Sequence, residues 1–488
     1  MPTLTMIQNG NERTVNFSGT PTLEAVMIRE GIRLPHPCGG RGRCGKCAVD
    51  AEGSLSAPSA RERELGCRLS CVTRLTGDAR VTLPDTPTGM RIVSDTAPLE
   101  ISDPTDGYGV AVDIGTTTVA LKVFDLHSGI CVGTASAPNP QTTVAADVIG
   151  RIEAAMCGEG ERLQSMICDT LRALLVEAVP DGAPIVRGTV TGNTTMLYLL
   201  TGHDPTPLSR APFRADRLFG EQTPSPWGRN PVYLPPCMNA FVGADITCAV
   251  LAAGMCERTE TALLCDIGTN GELALWKDGV LYVTSTAAGP AFEGAGIECG
   301  CGSIDGAVDR VRVENGHLSV HTIGECAPVG ICGSGVLDAV ASGLALDLID
   351  ESGAMDDPMP LGGSVALYPR DVRAVQLAKA AVAAGIDTLL EVSHTPLCAI
   401  GTLYIAGGFG THLSMESAVA IGLLPRSLTD RVRVLGNAAL RGAAMTLADP
   451  SARARLENIA AHATHVSLGG DSRFSTHYIN RMILGEDE

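Results

Sequence analysis

The chain has 488 residues, of which 45% are hydrophobic and 18% are charged, and its formal net charge is −18. This length predicts about two to four domains, and the negative charge argues against nucleic acid as a ligand, because its phosphates would be repelled. No apolar run is long enough to span a membrane, and the start of the chain lacks a secretion signal. We therefore expect a cytoplasmic protein without a membrane partner, whose 17 cysteines are thiols or metal ligands rather than disulfides.

Residues 1–84 are predicted to form a small α+β domain. The segments LTMIQNG and RTVNFSG predict the two strands of a hairpin, and ARVTLP predicts a returning strand. Between them, Thr20 and Pro21 open a helix that is predicted to run through Glu30. A glycine-rich loop follows this helix, and the whole order resembles that of a β-grasp ferredoxin.

Four cysteines of this domain predict an iron–sulfur site. Cys38, Cys44 and Cys47 lie on one loop, CGGRGRCGKC, and Cys71 follows in GCRLSC. Three closely spaced thiolates and one distal thiolate are the ligand set of a [2Fe–2S] cluster of the ferredoxin type. The glycines between them let the backbone wrap the cluster and point amide groups at its sulfurs. A structural zinc site or free thiols are the alternatives.

Residues 85–107 are predicted to be a linker, because prolines stand among Asp, Thr and Ser without a periodic pattern. The remaining residues, 108–488, carry an internal repeat. VAVDIGTTTVALKVFD (residues 110–125) aligns without gaps with LLCDIGTNGELALWKD (residues 263–278). A repeated strand–turn–strand unit predicts two similar half-domains that face each other.

The repeated turns predict a nucleotide site. In each, an apolar strand ends in an aspartate, Asp113 or Asp266, and passes directly into glycine and hydroxyl residues. Glycine lets the backbone approach a phosphate and threonine adds a hydroxyl donor, while the aspartates can hold Mg²⁺ through water or orient an attacking water. A third glycine-rich turn, LYIAGGFGTHL, can accommodate a base and ribose. The predicted nucleotide-binding residues are Gly115, Thr116, Thr117, Thr118, Gly268, Thr269, Asn270, Gly271, Gly407, Gly408 and Gly410.

This set of turns resembles the ATPase superfamily of acetate and sugar kinases, heat-shock chaperones and actin, in which two ribonuclease-H-like lobes close over ATP. Two segments, GNTTM (residues 192–196) and GNAALRGA (residues 436–443), resemble the helices that connect the lobes. Joined to an N-terminal ferredoxin domain, the ATPase resembles the reductive activators of corrinoid proteins. The segments TAAGPAFEG, GICGSG and DIGTNGE are also similar to that family.

The resemblance implies a function. An ATP-hydrolysing reductase of this kind passes one electron from its [2Fe–2S] cluster to an inactive Co(II) corrinoid protein and so regenerates Co(I) for methyl transfer. It implies ATP and Mg²⁺ as further cofactors, a cellular reductant as electron donor, a homodimer, Cys71 rather than the additional Cys67 as the fourth cluster ligand, and Asp113 or Asp266 as the residue that orients water.

Two other functions stay open at this point. One is an activator of a dehydratase-type iron–sulfur enzyme, with a second cluster on Cys299, Cys301, Cys326 and Cys332, although these cysteines are also typical of small buried residues beside glycine turns. The other is a redox-regulated small-molecule kinase. A proline- and aromatic-rich excursion, residues 204–241, is interpreted either as a docking surface or as a loop packed over its own lobe.

Overall fold

The computed structural model describes residues 1–8, 11–30, 32, 34, 42, 45, 47–83, 98–179, 184–228, 230–408 and 413–485. Two predicted cluster ligands, Cys38 and Cys44, lie outside these described residues, as do Gly410 and residues 85–97 of the predicted linker. Within the described part, no helix is both long and apolar enough to cross a bilayer.

The N-terminal domain is a mixed sheet with one helix packed on its face. Its elements are β1 (Thr3–Gln8), β2 (Asn11–Asn16), α1 (Leu23–Arg29), β3 (Ala48–Leu55), α2 (Ala60–Leu65), β4 (Arg68–Leu69) and β5 (Leu75–Thr82). The strand order is β2-β1-β5-β3-β4, with β1 antiparallel to β2 and parallel to β5. Leu23, Val26 and Met27 of α1 are buried against this sheet, as their helical spacing predicts. The β-grasp prediction is therefore confirmed.

The first lobe of the larger region begins directly after the linker. Its elements are β6 (Tyr108–Ile114), β7 (Thr118–Asp125), β8 (Cys131–Pro138), α3 (Val148–Ala154), α4 (Gly160–Ala178), β9 (Ile185–Gly192), α5 (Thr194–Thr201), α6 (Thr206–Ser209), β10 (Glu221–Thr223), β11 (Val232–Leu234) and α7 (Ala244–Ala253).

The second lobe repeats this plan with insertions. Its elements are β12 (Ala262–Ile267), β13 (Gly271–Lys277), β14 (Val280–Thr286), β15 (Ala307–Glu314), β16 (His317–Thr322), β17 (Gly330–Ile331), α8 (Gly333–Ala345), β18 (Met359–Gly362), β19 (Val365–Leu367), α9 (Pro369–Val392), β20 (Thr402–Ala406), α10 (Met415–Ala420), β21 (Val432–Gly436), α11 (Ala438–Ala448), α12 (Ser451–Ala461), β22 (Ala463–His465) and α13 (Ser472–Asn480).

The two lobes share one sheet topology. The first sheet contains the order β8-β7-β6-β9-β11 and the second contains β14-β13-β12-β20-β21. In the first sheet, β7 is antiparallel to both β6 and β8, and β9 lies parallel to β6. In the second sheet, β13 is antiparallel to both β12 and β14, and β20 lies parallel to β12. The repeat predicted two similar half-domains, and the shared topology is that of the duplicated ribonuclease-H-like α/β fold that the resemblance implies.

The repeat differs in one detail from the ungapped alignment. Ile114 pairs with Val119 across the first hairpin, whereas Ile267 pairs with Gly271 across the second. The second turn is therefore one residue shorter, and Gly271 is the structural counterpart of Val119 rather than of Thr118. The alignment is correct through the first strand and the start of the turn, and from the start of the second strand it is out of register by one residue.

A pair of crossing helices joins the lobes. Helix α11, which follows β21 of the second lobe, packs on α7 and on strands β6 and β9 of the first lobe. The approach is closest at Gly442, where a Cβ would lie 2.0 Å from the carbonyl oxygen of Cys248. The prediction for residues 436–443 agrees with this helix, whereas residues 192–196 begin α5, whose side chains are buried in the first lobe. The partner of α11 is α7 instead.

The structure supports the interpretation of the aromatic-rich excursion as a segment packed over its own lobe, while the docking surface stays a prediction. Phe219 and Trp227 pack against the core of the first lobe, and Tyr233 is buried. Phe213 and Phe241 are exposed, and their ring centroids lie 5.7 Å apart. Most of the segment therefore covers its own lobe, and one aromatic pair faces solvent.

The last residues of the predicted linker contact the first lobe and helix α11 of the second. The amide of Leu99 donates to the carbonyl of Gly129 (2.8 Å), and the amide of Ser102 donates to that of Ala448 (2.9 Å). Asp103 forms an ion pair with Arg187. The described part of the linker, residues 98–107, is therefore anchored to the nucleotide-binding region.

Candidate functional site

The repeated turns meet at one cavity of about 290 Å³. The turn between β6 and β7 and the turn between β12 and β13 face each other across it, and the end of β20 closes a third side. The sequence-predicted residues that line this cavity are Asp113, Gly115, Thr116, Thr117, Thr118, Asp266, Gly268, Thr269, Asn270, Gly407 and Gly408.

One predicted binding residue has a different position. Gly271 opens β13, and it is absent from the cavity lining among the described residues. A Cβ at this position would lie 2.6 Å from Thr286 Oγ1 and 2.8 Å from Val382 Cγ2. The glycine therefore permits close packing of β14 and α9 behind the turn. Its predicted contact with nucleotide receives no support from this geometry.

Gly407 is a glycine because two chain segments approach each other there. Its φ is +89°, and a Cβ would lie 2.6 Å from Asp266 Oδ1. A side chain would require both a left-handed backbone and displacement of the aspartate. The third turn is thereby held directly beside the carboxylate of the second.

Sequence reasoning missed several polar residues of the cavity. They are Asn193, Asp245, Glu272, Glu293 and Asn437. Glu272 and Glu293 stand within the segments DIGTNGE and TAAGPAFEG, which resemble the activator family, but no site role was predicted for either residue. Asp245, at the start of α7, belongs to none of these segments, and only the tertiary fold brings it to the site.

Asp113 is one of five carboxyls that line the cavity, with Asp245, Asp266, Glu272 and Glu293. It is half-buried at the end of β6, and Asn437 Nδ2 donates to its Oδ2 at 2.8 Å. Burial raises the pKa of Asp113 to about 6, although the bond from Asn437 lowers it in part. Because Asn437 caps α11, this bond also joins the second lobe to the turn between β6 and β7 of the first.

Three of the other carboxyls have pKa values that are raised first by burial and then by the charges of their neighbours. Burial, followed by the charges of Asp113 and Glu293, raises the pKa of Asp266 to about 7. Burial and the charges of Asp113 and Asp266 also raise the pKa of Asp245. The pKa of Glu272 is raised by burial and by Asp245 and Asp266. Such a group of acids requires protons or a cation to compensate its charge.

The chemistry of the cavity fits a magnesium nucleotide. Mg²⁺ usually keeps several waters and binds through one or two carboxylates together with substrate phosphates. The carboxyls supply such oxygen ligands, and the threonine hydroxyls and turn amides supply donors for phosphate oxygens. Among the described residues, no three His, Cys, Asp or Glu side chains are placed to ligate one ion directly.

A buried arginine supports the first turn from behind. Arg151 is fully buried, its Nη2 donates to the carbonyl of Thr116 at 2.5 Å, and its Nη1 donates to Gln141 Oε1 at 3.2 Å. Burial lowers the pKa of Arg151 to about 10, so it stays charged at neutral pH. Its charge lies behind a predicted phosphate turn, where it favours an anionic ligand.

The N-terminal domain brings two predicted cluster ligands together. Cys47 and Cys71 are buried, and their Sγ atoms lie 3.2 Å apart. This separation is too long for a disulfide, whose S–S bond is about 2.05 Å, and it suits two thiolates at one metal centre. The geometry therefore fits a thiolate-ligated cluster.

A buried carboxylate holds the segment that leads to Cys71. Glu62 of α2 accepts hydrogen bonds from the Leu69 amide (3.0 Å), Thr73 Oγ1 (2.5 Å) and Arg68 Nε (3.1 Å). Burial would raise the pKa of Glu62, but the bonds from Thr73 and from backbone amides outweigh it and lower the pKa to about 2. The carboxylate is therefore ionised at neutral pH and fixes the chain on both sides of the distal cysteine.

The four cysteines considered for a second cluster have separate surroundings. Cys332 is buried and lies 3.3 Å from Ser334 Oγ, whereas Cys326 is exposed and donates to the carbonyl of Gly324. Cys301 borders the nucleotide cavity. The interpretation of small buried residues therefore fits Cys332 alone, because Cys326 is exposed and Cys299 and Cys301 are half-buried.

Cluster ligation can be tested with a pair of serine variants. We expect Cys71→Ser to abolish the visible absorbance and to reduce the iron content of the reconstituted protein, because it removes one of two adjoining thiols. Cys67→Ser is the matched control, since Cys67 lies in the same segment and is expected to be dispensable. A colourless Cys67→Ser protein, or a Cys71→Ser protein with normal colour, would contradict this assignment.

The pKa of Asp266 predicts how stability depends on pH. The folded protein keeps this proton up to about pH 7, whereas the unfolded chain releases it near pH 3.8, so stability without metal falls as the pH rises through this interval. We expect Asp266→Asn to raise the melting temperature at pH 7.5 by roughly 3 °C, and to raise it less at pH 5. Exposed Asp430, mutated to Asn, is the control. Equal pH profiles for wild type and Asp266→Asn would refute the argument.

Three family models match consecutive parts of the chain. A 2Fe-2S iron–sulfur cluster binding domain matches residues 6–76, the RACo middle region matches residues 108–258, and the C-terminal domain of RACo, the ASKHA domain, matches residues 260–488. The cluster domain and the ATPase predicted from the motifs are thereby confirmed, and the middle region corresponds to the first lobe.

Curated proteins and a solved structure are also similar to most of the chain. The corrinoid activation enzyme RamQ of Eubacterium limosum is 34% identical over 78% of this chain and 71% of its own length. The [Co(II) methylated amine-specific corrinoid protein] reductase of Methanosarcina barkeri is 24% identical over 76% of each. A solved structure, the reductive activator for corrinoid, iron–sulfur protein, matches with a TM-score of 0.72 and 26% identity over 99% of both chains. The chain therefore belongs to the RACo family, in which a 2Fe-2S domain precedes an ASKHA-type ATPase.

Proposed function

We propose that this protein is an ATP-dependent reductive activator that passes one electron to the Co(II) corrinoid of a partner protein and yields Co(I). The observation that carries the proposal is the presence, in one chain, of paired buried thiols in a β-grasp domain and a two-lobed acidic cavity lined by threonines. The names of the relatives support the same partner class. We assign residues 1–84 to the electron-transfer domain, 85–107 to the linker and 108–488 to the ATPase.

The energetics of the reduction explain why ATP is required. When bound, a plant-type [2Fe–2S] cluster exchanges single electrons near about −400 mV. Corrinoid Co(II)/Co(I) couples are expected at lower potentials, and each ~59 mV uphill reduces the equilibrium yield about tenfold for one electron. A nucleotide can shift this balance only if it binds one conformation of the protein more tightly than the other.

The cavity residues supply positioning and charge. We assign Asp113 and Asp266 to holding Mg²⁺ through water and to orienting the attacking water, because each stands at the base of a threonine-containing turn. Thr116, Thr117 and Thr269 donate hydroxyl groups toward phosphate oxygens. The free backbone surface at Gly408, where a Cβ would meet nothing within 4 Å, can accommodate the adenosine.

The cluster thiols and the electron donor complete the proposal. We assign Cys47 and Cys71, together with Cys38 and Cys44, to the cluster. A cellular low-potential reductant donates the electron, and the protein acts as a homodimer, which sedimentation velocity can test.

The proposed function can be tested in solution by reducing the protein and mixing it with a Co(II) corrinoid protein and MgATP. We expect Asp113→Ala and Asp266→Ala each to lower the rate of Co(I) formation at least about a hundredfold, because water or Mg²⁺ loses its ligand. The visible spectrum of the cluster should be unchanged, and Asp430→Ala should behave as wild type. Formation of Co(I) at the wild-type rate by either cavity variant would contradict the assignment, as would Co(I) formation that does not depend on ATP.

A further inference from the structure

One carboxylate bonds to the phosphate turns of both lobes. Glu293 Oε2 accepts hydrogen bonds from Thr117 Oγ1 (2.5 Å) and from Thr269 Oγ1 (2.9 Å), and Glu293 Oε1 accepts from the amide of Thr269 (3.1 Å). The two hydroxyl oxygens are themselves 3.4 Å apart. We call this arrangement, made by Glu293, Thr117 and Thr269, the Glu293 bridge.

The backbone around Glu293 holds the bridge in place. The residue ends a single 3-10 turn, Pro290–Glu293, that follows β14, and the adjoining Phe292 is buried. Gly294 has a φ of +72°, and a Cβ there would lie 2.4 Å from the carbonyl oxygen of Cys301. The carboxylate therefore enters the cavity from a tightly packed segment rather than from a loose loop.

The carboxylate occupies a site that suits a phosphate oxygen. Its three donors, two hydroxyls and one turn amide, are of the type that binds phosphate. A Cβ on Gly268 would lie 3.3 Å from Glu293 Oε1, so the carboxylate lies directly against the backbone of the second turn. A phosphate oxygen and this carboxylate therefore require the same donors, and their charges repel each other.

We propose that Glu293 is an internal substitute for a nucleotide phosphate, which holds the two turns together until a phosphate takes over its donors. This inference rests on the proposed function, and it identifies the Glu293 bridge as the contact that ATP binding would change. Before nucleotide binds, the side chain of Glu293 links the turns of the two lobes. After nucleotide binds, its phosphate links them instead. Glu293 is thus a positioning residue that couples phosphate binding to the contact between the lobes.

The proposal makes a counterintuitive prediction for binding. Removing a residue that lines the site should tighten nucleotide binding, because the phosphate no longer has to displace it. We expect Glu293→Ala to lower the Kd for MgATP about tenfold by isothermal titration calorimetry, equivalent to the loss of roughly one charged hydrogen bond. Adenosine, which carries no phosphate, should bind wild type and variant equally.

Two further variants separate the bridge from simple charge repulsion. Glu293→Asp keeps the charge but is too short to reach all three donors, so we expect it also to bind MgATP several-fold more tightly than wild type. Glu298→Gln is the matched control, because Glu298 lies on the same segment, pairs with Arg370 and does not line the cavity. Its Kd should equal that of wild type.

The possible results distinguish the inference from the function. Weaker or unchanged MgATP binding by Glu293→Ala would overturn the bridge, as would a Glu293→Asp variant that binds like wild type or a change in adenosine binding. If wild-type protein binds no MgATP at all, the proposed function fails first. Tighter binding by both Glu293 variants, with adenosine unaffected, is the result that the proposal requires.

Discussion

The nucleotide cavity depends on one electrostatic constraint, which is that carboxyls from both lobes share the same enclosed space. Asp113 and Asp245 come from the first lobe, and Asp266, Glu272 and Glu293 come from the second. Removal from water raises the pKa values of the first four, and the charges of neighbouring carboxyls raise those of Asp245, Asp266 and Glu272 further. The lobes can therefore close fully only when protons or a cation compensate the charge, and a magnesium nucleotide is well suited to do so.

This constraint explains how nucleotide binding can change the position of one lobe relative to the other. The lobes are joined at one side by the packing of α11 on α7, which is close and apolar. Across the cavity they are joined by polar contacts, namely the Asn437–Asp113 bond and the Glu293 bridge. The polar contacts can be replaced by hydrogen bonds to a ligand at little net cost in free energy. The apolar contacts between α11 and α7 cannot be replaced in this way. We therefore expect phosphate binding to change the contacts across the cavity, while the packing of α11 on α7 stays the same.

Much of this arrangement could be predicted from sequence because it follows from local patterns. The DIGT turns directly follow apolar strands, so their repetition predicted both the paired lobes and the positions of Asp113 and Asp266. Residues such as Asp245 and Glu293 could not be found in this way, since they reach the cavity only through the crossing of α7 and the turn after β14. Gly271 shows the opposite error: a residue inside a binding motif whose lack of a side chain serves packing behind the turn. Motif membership thus predicts location well and individual contacts less well.

On binding, a magnesium nucleotide is expected to replace protons in the acidic cavity. Titration of MgATP into the protein at pH 7, in two buffers of different ionisation enthalpy, measures this exchange. Because the pKa values of Asp113 and Asp266 are raised to about 6 and about 7, and those of Asp245 and Glu272 are raised as well, we expect a net release of protons on binding. Heats that are identical in both buffers, or net uptake of protons, would contradict it.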